Sequence, residues 1–483
     1  MRMLGNIWPQ VNSLHASIEV HGLSADSREI KKGFVFAALP GTVVDGAKFI
    51  DKAVANGAVA VIVQTGVKTN VGDNVAVIEA DEPRQALALM AADFYAGQPD
   101  CIAAVTGTNG KSSIVAFVRQ IWQSMGLRAA SLGTVGIDYP GGFEKLAHTT
   151  PDPVSMQKAL EKLAKKSVTH LALEASSHGL EQHRLDGIQI CVGGFTNFSQ
   201  DHLDYHKTFE AYFAAKMRLF DELLAPGSAA VINVDSDKAA EVLARVKARG
   251  LRILTVGKAG EHLKLLSQKS MALGQLLEIQ GVEQTYKVFL PLVGAFQAEN
   301  ALVAAGLVIA AGGSEAIAIK SLEDLRGAKG RLELVDRSKD DAAIFVDFAH
   351  TPDALKLSIQ ALRPFADGKL VVVFGCGGDR DKGKRPLMGK VAADFADVVY
   401  VTDDNPRGED PSVIRSETMA GCPDAVEIGD RSKAIETAIK SLEKGDVLLI
   451  AGKGHEEGQI VGDKIIPFTD HEAVFAVTRG VAA

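Results

Sequence analysis

The chain has 483 residues, 47% hydrophobic and 23% charged, the balance of a packed globular protein and not of a wholly disordered or collagen-like one. At roughly 150 residues per domain, this length points to about three domains. Lysine and arginine number 52 against 60 aspartates and glutamates, a formal charge of −8, so no basic excess favours nucleic acid or an anionic membrane surface, and any phosphate must be met by local groups. Cys101, Cys191, Cys376 and Cys422 are far apart with no CxxC pair, which argues against a disulfide framework or thiolate zinc site and for buried thiols in a reducing compartment. No apolar run approaches the roughly 18 residues of a membrane span, and the opening MRMLGNIWPQVNS lacks the apolar core of a signal peptide. The expected location is the cytoplasm.

Short β-branched runs bounded by turn residues occur at 101–106, 170–175, 229–234, 343–348, 370–375, 398–402 and 446–452, with helically spaced stretches between many of them. That pattern predicts an α/β protein with mostly parallel sheets. Breaks at AGQPD (96–100) and RGAKG (326–330) divide it into a smaller N-terminal α/β domain (1–98), a central parallel-sheet domain with a phosphate loop (99–328) and a C-terminal Rossmann-like domain (329–483). Alternating segments over 273–294 predict a β-hairpin elaboration of the middle domain.

The first chemical signal in chain order is CIAAVTGTNGKSS (101–113), a strand, a glycine turn and then a helix. The helix is predicted by the apolar stripe of Ile114, Val115, Phe117, Val118, Ile121, Trp122 and Met125, with Gly126 as its stop. This arrangement aims backbone N–H groups and a helix N-terminus at a phosphate, with Lys111 reaching the outer phosphates and the Ser112 hydroxyl on Mg²⁺. It departs from the full GxxxxGK[ST] pattern, because Val105 occupies the first glycine position. Next, in HTTPDP (148–153), the prolines hold Thr149 and Thr150 on an extended stretch, where their hydroxyls either bind an anion or cap nearby backbone. Glu174 ends the run 170–175, placed to ligate Mg²⁺ beside the loop. In the C-terminal third, GCGGDR, DDNPR and GKGHE each follow a predicted strand, and loops at the carboxyl ends of parallel strands converge on one crevice. They supply Arg380, Asp404, Asn405, Arg407 and Glu456, acidic and basic partners for a ligand bearing both amines and carboxylates.

The string TGTNGKSS resembles the ATP-binding loop of the Mur ligases and the related folylpolyglutamate synthetases, ATP-dependent amide-forming enzymes. EASSHGLEQHR (174–184), TNFSQDHLDYH (196–206), AAKMRLF (214–220), GAFQAEN (294–300), GRLE (330–333), DFAHTPDAL (347–355), GCGGDRDKGKRPLMG (375–389), TDDNPRGEDP (402–411) and AGKGHE (451–456) follow in family order, so the resemblance spans all three domains. ADSREIKKGFVFAALPGTVVDGAKF (25–49) is similar to the N-terminal domain of the branch that adds the third residue of the peptidoglycan stem peptide. DDNPR resembles the version that selects meso-2,6-diaminopimelate over L-lysine, and a physical reason is at hand: Arg407 can pair with the distal carboxylate that lysine lacks.

The resemblance implies that ATP phosphorylates the γ-carboxylate of D-glutamate in UDP-MurNAc-L-Ala-D-Glu and that the amine of diaminopimelate attacks the acyl phosphate. It implies an ATP site of Gly107, Thr108, Asn109, Gly110, Lys111, Ser112 and Ser113, with Asn300 at the adenine and Arg331 at the phosphate or ribose. Two Mg²⁺ ions are implied on Ser112, Glu174, His202 and Lys216, the last as a carbamate formed from CO₂; without the family, Lys216 reads as a surface lysine of an amphipathic helix. Ala25, Ser27 and the turn Thr42, Val43 and Val44 are implied at the uridine nucleotide, and Thr149, Thr150, Ser176, Gln182 and Arg184 at the dipeptide. Arg380, Asp404, Asn405, Pro406, Arg407, Gly452 and Glu456 are implied at diaminopimelate. The partners are then small molecules only, and the protein is expected to be a monomer. A nucleotide-dependent binding switch without ligation stays open as an alternative, as does the lysine-adding enzyme.

Overall fold

A computed structural model describes residues 2–480 apart from 42–44, 147, 200–202 and 272. Thr42, Val43, Val44 and His202 lie outside the described residues. The chain forms two compact units, Met1–Leu263 with Val303–Ala318, and Lys264–Leu302 with Ile319–Ala483. Among the described residues, no helix is long and apolar enough to cross a membrane.

The first unit begins with a small parallel sheet in the order Gly22–Ser24, Phe34–Ala37, Ala58–Gln64 and Ala76–Ala80. In Phe34–Ala37, Val35 and Ala37 enter one apolar cluster and Phe36 the other, so the sheet is buried on both faces. That is why the inner strands Phe34–Ala37 and Ala58–Gln64 read as apolar runs, while the edge strand Ala76–Ala80 alternates buried and exposed residues. The helix Pro83–Tyr95 covers one face, starting on a proline at its first turn and ending at Ala96 with φ 41°.

The larger sheet of this unit runs His170–Glu174, Cys101–Thr106, Val192–Phe195, Ala229–Asn233 and Arg252–Gly257, all parallel, with Ala129–Gly133 beside the first and two short antiparallel strands beyond it. The runs predicted at 101–106, 170–175 and 229–234 are all here. Ile102, Leu171, Leu173 and Phe195 pack into one core cluster, each fully buried side chain of this size contributing about 1.5–3 kcal/mol. The helix Lys111–Ser124 lays Ile114, Phe117, Val118, Ile121 and Trp122 into the interior, and Gly126 takes φ 79° just beyond its end.

The second unit opens on an antiparallel meander, Leu263–Met271, Gly274–Gln280 and Thr285–Leu290, so the predicted hairpin forms but groups with this unit. Its main sheet is Glu333–Arg337, Ala343–Asp347, Val447–Ala451, Leu370–Phe374, Val398–Val401 and Val426–Glu427, parallel except for the first strand. This is the α/β, Rossmann-like pattern predicted from the four runs between 343 and 452. Cys376 and Cys422 are buried as expected, whereas Cys101 and Cys191 are only partly so.

Behind this sheet Arg431 and Asp470, 1% and 0% exposed, form a paired bond, Nε to Oδ1 at 2.7 Å and Nη2 to Oδ2 at 2.8 Å, and Nη2 also donates to the Ala451 carbonyl at 3.0 Å. Breaking a buried pair strands the remaining charge. Asp470→Asn is therefore expected to cost about 3 kcal/mol, read as a lower denaturation midpoint in urea, while Glu436→Gln at an exposed helical pair with Lys440 should change it by less than about 1 kcal/mol.

Candidate active site

The phosphate loop lies between two strands whose register sets what surrounds it. Val105 is level with Glu174 on one side, and Thr106 with Phe195 on the other. Gly107 has φ 144°, and a Cβ there would meet Thr196 Oγ1 at 1.9 Å; Gly110 has φ 86° and opens the helix. The turn is tied to the next strand's end: Thr196 Oγ1 donates to Asn109 O at 2.7 Å, and the Asn109 and Thr108 N–H groups donate to Asn197 Oδ1 and O at 2.9 Å each. Lys111 Nζ lies over Gly107 O and Thr108 O at 2.9 and 2.7 Å. Ser112 and Ser113 are buried in the first helical turn. A helix N-terminus behind a glycine turn with a lysine at its mouth binds phosphate oxygens.

Glu174 is 2% exposed, its Oε1 accepting from Thr134 N at 2.8 Å and its Oε2 from Thr134 Oγ1 at 3.2 Å. A buried carboxylate level with the strand that leads into the loop is a hard oxygen donor, and Mg²⁺ on nucleotide phosphates uses one or two protein carboxylates; the residues present fit that ion. Lys216 is not the surface lysine that helix amphipathicity implies. It is 1% exposed on the helix Phe209–Arg218, with Nζ 2.8 Å from Gly107 O and 4.3 Å from the Tyr212 ring centroid.

Thr150 and Ser176 bond to each other at 2.9 Å, Thr150 Oγ1 donates to Glu174 O at 2.9 Å, and Ser176 Oγ caps the helix Ser177–Glu181 by accepting from Gly179 N at 3.0 Å. These bonds show the backbone-capping role of Thr150 and Ser176. Thr149 bonds to Thr134 at 3.0 Å, which connects it to Glu174. Arg184 donates to Thr150 O at 2.6 Å and Gln182 Oε1 at 2.7 Å. Gln182 and Arg184 line a cleft of about 430 Å³ with Ala25, Asp26, Arg84, Asp152 and Lys158. Ser27 does not line it; it is buried, with its carbonyl accepting from Asn56 Nδ2 at 3.0 Å.

In the second unit the three C-terminal loops meet as predicted. Asp404, Asn405 and Glu456 all bond to the Lys453 ammonium, at 3.3, 3.1 and 3.1 Å, and Asn405 Nδ2 donates to Glu456 Oε2 at 2.9 Å. Arg407 takes φ 50°, a conformation costing a non-glycine residue about 1–3 kcal/mol. It is held there by the hairpin Gly458–Val461 and Lys464–Pro467, through Arg407 N to Ile460 O at 3.0 Å and Gly462 N to Arg407 O at 2.7 Å. Its guanidinium reaches Gly378 O at 2.9 Å. A Cβ at Gly378 would sit 1.9 Å from Pro406 O, so only glycine lets the two loops close together. Arg385, 0% exposed, braces them further by donating to Glu409 Oε1 at 2.8 Å and Glu417 Oε2 at 2.6 Å. The Arg385 bond is the main cause that holds the Glu409 carboxyl down at about 2. Gly452 takes φ 113° at its strand end, while Arg380 is exposed and reaches only Asp379 O, at 3.3 Å. Arg331 lies over the Phe348 ring at 4.7 Å, and Asn300, buried, donates to Gln297 Oε1 at 3.0 Å.

Three family descriptions match this chain: Mur ligase family, catalytic domain, over residues 19–95; Mur ligase middle domain over 105–308; and Mur ligase, glutamate ligase domain, over 330–454. The chain is 53% identical to the UDP-N-acetylmuramoyl-L-alanyl-D-glutamate--2,6-diaminopimelate ligase of Bradyrhizobium diazoefficiens over 95% of each chain, and 49% identical to the enzyme of that name from Mesorhizobium japonicum over 100% of each. It belongs to the Mur ligase family. A solved structure of a ligase of the same name is also similar, at 34% identity and a TM-score of 0.74 over 99% of both chains. A Mycobacterium tuberculosis folylpolyglutamate synthase, 20% identical with a TM-score of 0.62 over 77% of this chain, shares the fold.

Within this Mur ligase, several residues escape a reading from motifs alone. Thr134 and Tyr212 are ordinary polar residues in the sequence, and only the tertiary fold brings Thr134 to Glu174 and Tyr212 to Thr108. Arg84 and Lys158 sit in helices whose spacing marks them as solvent-facing. Lys453 is the exception, since a lysine directly after an apolar strand, in GKGHE, is a legible signal. Gly107→Ala is expected to raise the KM for ATP about tenfold or more, a loss of about 1.4 kcal/mol, because a Cβ displaces the loop from Thr196; steady-state ADP release alongside an unchanged far-UV spectrum checks it.

Proposed function

We propose that the chain joins meso-2,6-diaminopimelate to the γ-carboxylate of D-glutamate in UDP-MurNAc-L-Ala-D-Glu, producing the UDP-MurNAc-tripeptide, ADP and phosphate for peptidoglycan. The carrying observation is the near full-length identity to ligases that share one name, which also favours diaminopimelate over lysine. A carboxylate is a poor electrophile and must be activated. Its oxygen attacks the terminal phosphorus of ATP, ADP leaves, and the acyl phosphate presents a carbonyl carbon to the amine. The amine adds, loses a proton, and the tetrahedral intermediate expels phosphate.

In this reading Gly107 through Ser113 hold the phosphates by backbone N–H groups and the helix N-terminus, with Lys111 offsetting charge that spreads onto the transferring group. Mg²⁺ would supply further neutralisation of the crowded phosphate and carboxylate oxygens, held by Ser112, Glu174, His202 and Lys216 as a carbamate. Converting that ammonium to a carbamate turns a buried cation into an anionic oxygen ligand. Asn300 and Arg331 serve the nucleotide. Ala25, Ser27 and the turn 42–44 serve the uridine moiety, and Thr149, Thr150, Ser176, Gln182 and Arg184 the dipeptide. Arg380, Asp404, Asn405, Pro406, Arg407, Gly452 and Glu456 hold diaminopimelate. The protein acts in the cytoplasm as a monomer on small molecules alone.

Purified protein should release ADP only when UDP-MurNAc-L-Ala-D-Glu, meso-diaminopimelate and Mg²⁺ are all present. Stimulation by lysine and not by diaminopimelate reverses the substrate, and stimulation by neither favours a nucleotide switch. Arg407→Ala is expected to lower the ratio of kcat/KM for diaminopimelate over lysine by about one to two decades, the cost of roughly 1 to 3 kcal/mol for an unmet charged hydrogen bond, while ATP affinity stays unchanged. An unaltered ratio removes Arg407 from that role.

A further inference from the structure

Lys453 is used by no step above, yet like Arg385 it is a fully enclosed charge at the loops of the second unit. It is 0% exposed, against 11% for the side chain of Asp404 and 35% for that of Glu456. An ammonium has three N–H donors, and three oxygens stand around this one: Asp404 Oδ1 at 3.3 Å, Asn405 Oδ1 at 3.1 Å and Glu456 Oε2 at 3.1 Å. Burying such a cation is costly unless carboxylates and carbonyl oxygens surround it, which is the arrangement found.

The consequence falls on Asn405. Its Oδ1 receives the Lys453 ammonium and also the Ile460 backbone N–H at 2.9 Å. Two donors converging on one atom require that atom to be the oxygen, which decides the orientation of the amide. The Nδ2 group then has to face Glu456, to whose Oε2 it donates at 2.9 Å. Glu456 Oε2 is held by two donors, Asn405 Nδ2 and Lys453 Nζ, and the partly exposed carboxylate keeps Oε1 for a ligand. Within this cluster the Asp404 and Glu456 carboxylates outnumber the Lys453 ammonium by one charge. Arg431 also lies near, but Asp470 neutralises it.

We propose that Lys453 is a positioning residue for amino-acid recognition: it fixes the Asn405 amide and the Glu456 carboxylate so that the free Glu456 oxygen accepts from an ammonium group of the incoming diamino acid. The proposal rests on the functional reading above. It differs from a general structural role in predicting a selective effect, confined to one of three substrates.

Steady-state ADP release by the full chain tests it, with each substrate varied in turn for wild type, Lys453→Met, Asn405→Asp and the double variant. The expected result is a rise of about tenfold or more in the KM for meso-diaminopimelate with Lys453→Met, the KM values for ATP and UDP-MurNAc-L-Ala-D-Glu staying within about twofold. Asn405→Asp, which replaces the Nδ2 donor with an oxygen facing Glu456, should raise the same KM. The double variant should fall short of the product of the two single effects, because both act through Glu456. A parallel rise in all three KM values, a fall in kcat with the diaminopimelate KM unchanged, or multiplying single effects would overturn the proposal. Should Lys453→Met not accumulate as folded protein, Lys453→Gln, which keeps a donor without charge, is judged by the same criteria. Wild-type ADP release that ignores diaminopimelate would instead remove the functional reading itself.

Discussion

Strand register in the parallel sheets is the constraint from which both sites follow. In a parallel ladder, neighbouring chains leave the sheet at the same edge, so residues far apart in sequence arrive side by side without any direct attraction between them. Val105 beside Glu174, and Thr106 beside Phe195, put a glycine turn, a buried carboxylate and the Thr196–Asn197 pair at one level. In the second unit, Ala451 is level with both Asp347 and Phe374, and Phe374 with Val401. The loops carrying Lys453, Gly378 and Asn405 consequently start from one edge. The apolar strands do the positioning, and hydrogen bonds between the loops add the last ångström.

The strands and the main helix were legible because burial on both faces writes an unbroken apolar run, and a single buried stripe writes the 3.6-residue spacing of Ile114, Phe117, Val118 and Ile121. The phosphate loop was legible because glycine, lysine and serine there answer to backbone geometry and charge. What stayed hidden depends on tertiary context. Spacing puts Lys216 on an ordinary amphipathic helix, and nothing local says that its polar end is drawn inward to Gly107 O. Arg385 reads as one charge among several in DRDKGKR, yet it is the one fully buried between Glu409 and Glu417. The hairpin Gly458–Val461 with Lys464–Pro467 was legible, since Ile and Val flank a two-residue Gly-Asp turn, but its bonds to Arg407 were not, because they join segments far apart in sequence. Ser27 is buried beside Ala25 and Asp26, which line the cleft, so what a family motif marks there depends on backbone placement that the sequence alone does not give.

The two sites meet opposite electrostatic demands with the same device, a lysine set against oxygen atoms. At the phosphate loop, Lys111 and Lys216 both rest on the Gly107 carbonyl, an acceptor without full charge. Both ammoniums are thereby anchored at the loop where the proposed chemistry brings anions together. At the C-terminal loops, Lys453 is enclosed by two carboxylates and an amide oxygen, and its charge is spent inside the protein on holding them in place. In the proposed reading, what reaches the ligand there is the negative charge of Glu456 and, from Arg407, a guanidinium held in a strained backbone. Activating an acid calls for positive charge held beside the reacting oxygens, whereas recognising a diamino acid calls for acceptors and donors at fixed separations. A lysine serves the first from the phosphate loop itself, and the second where two carboxylates and an amide oxygen surround it.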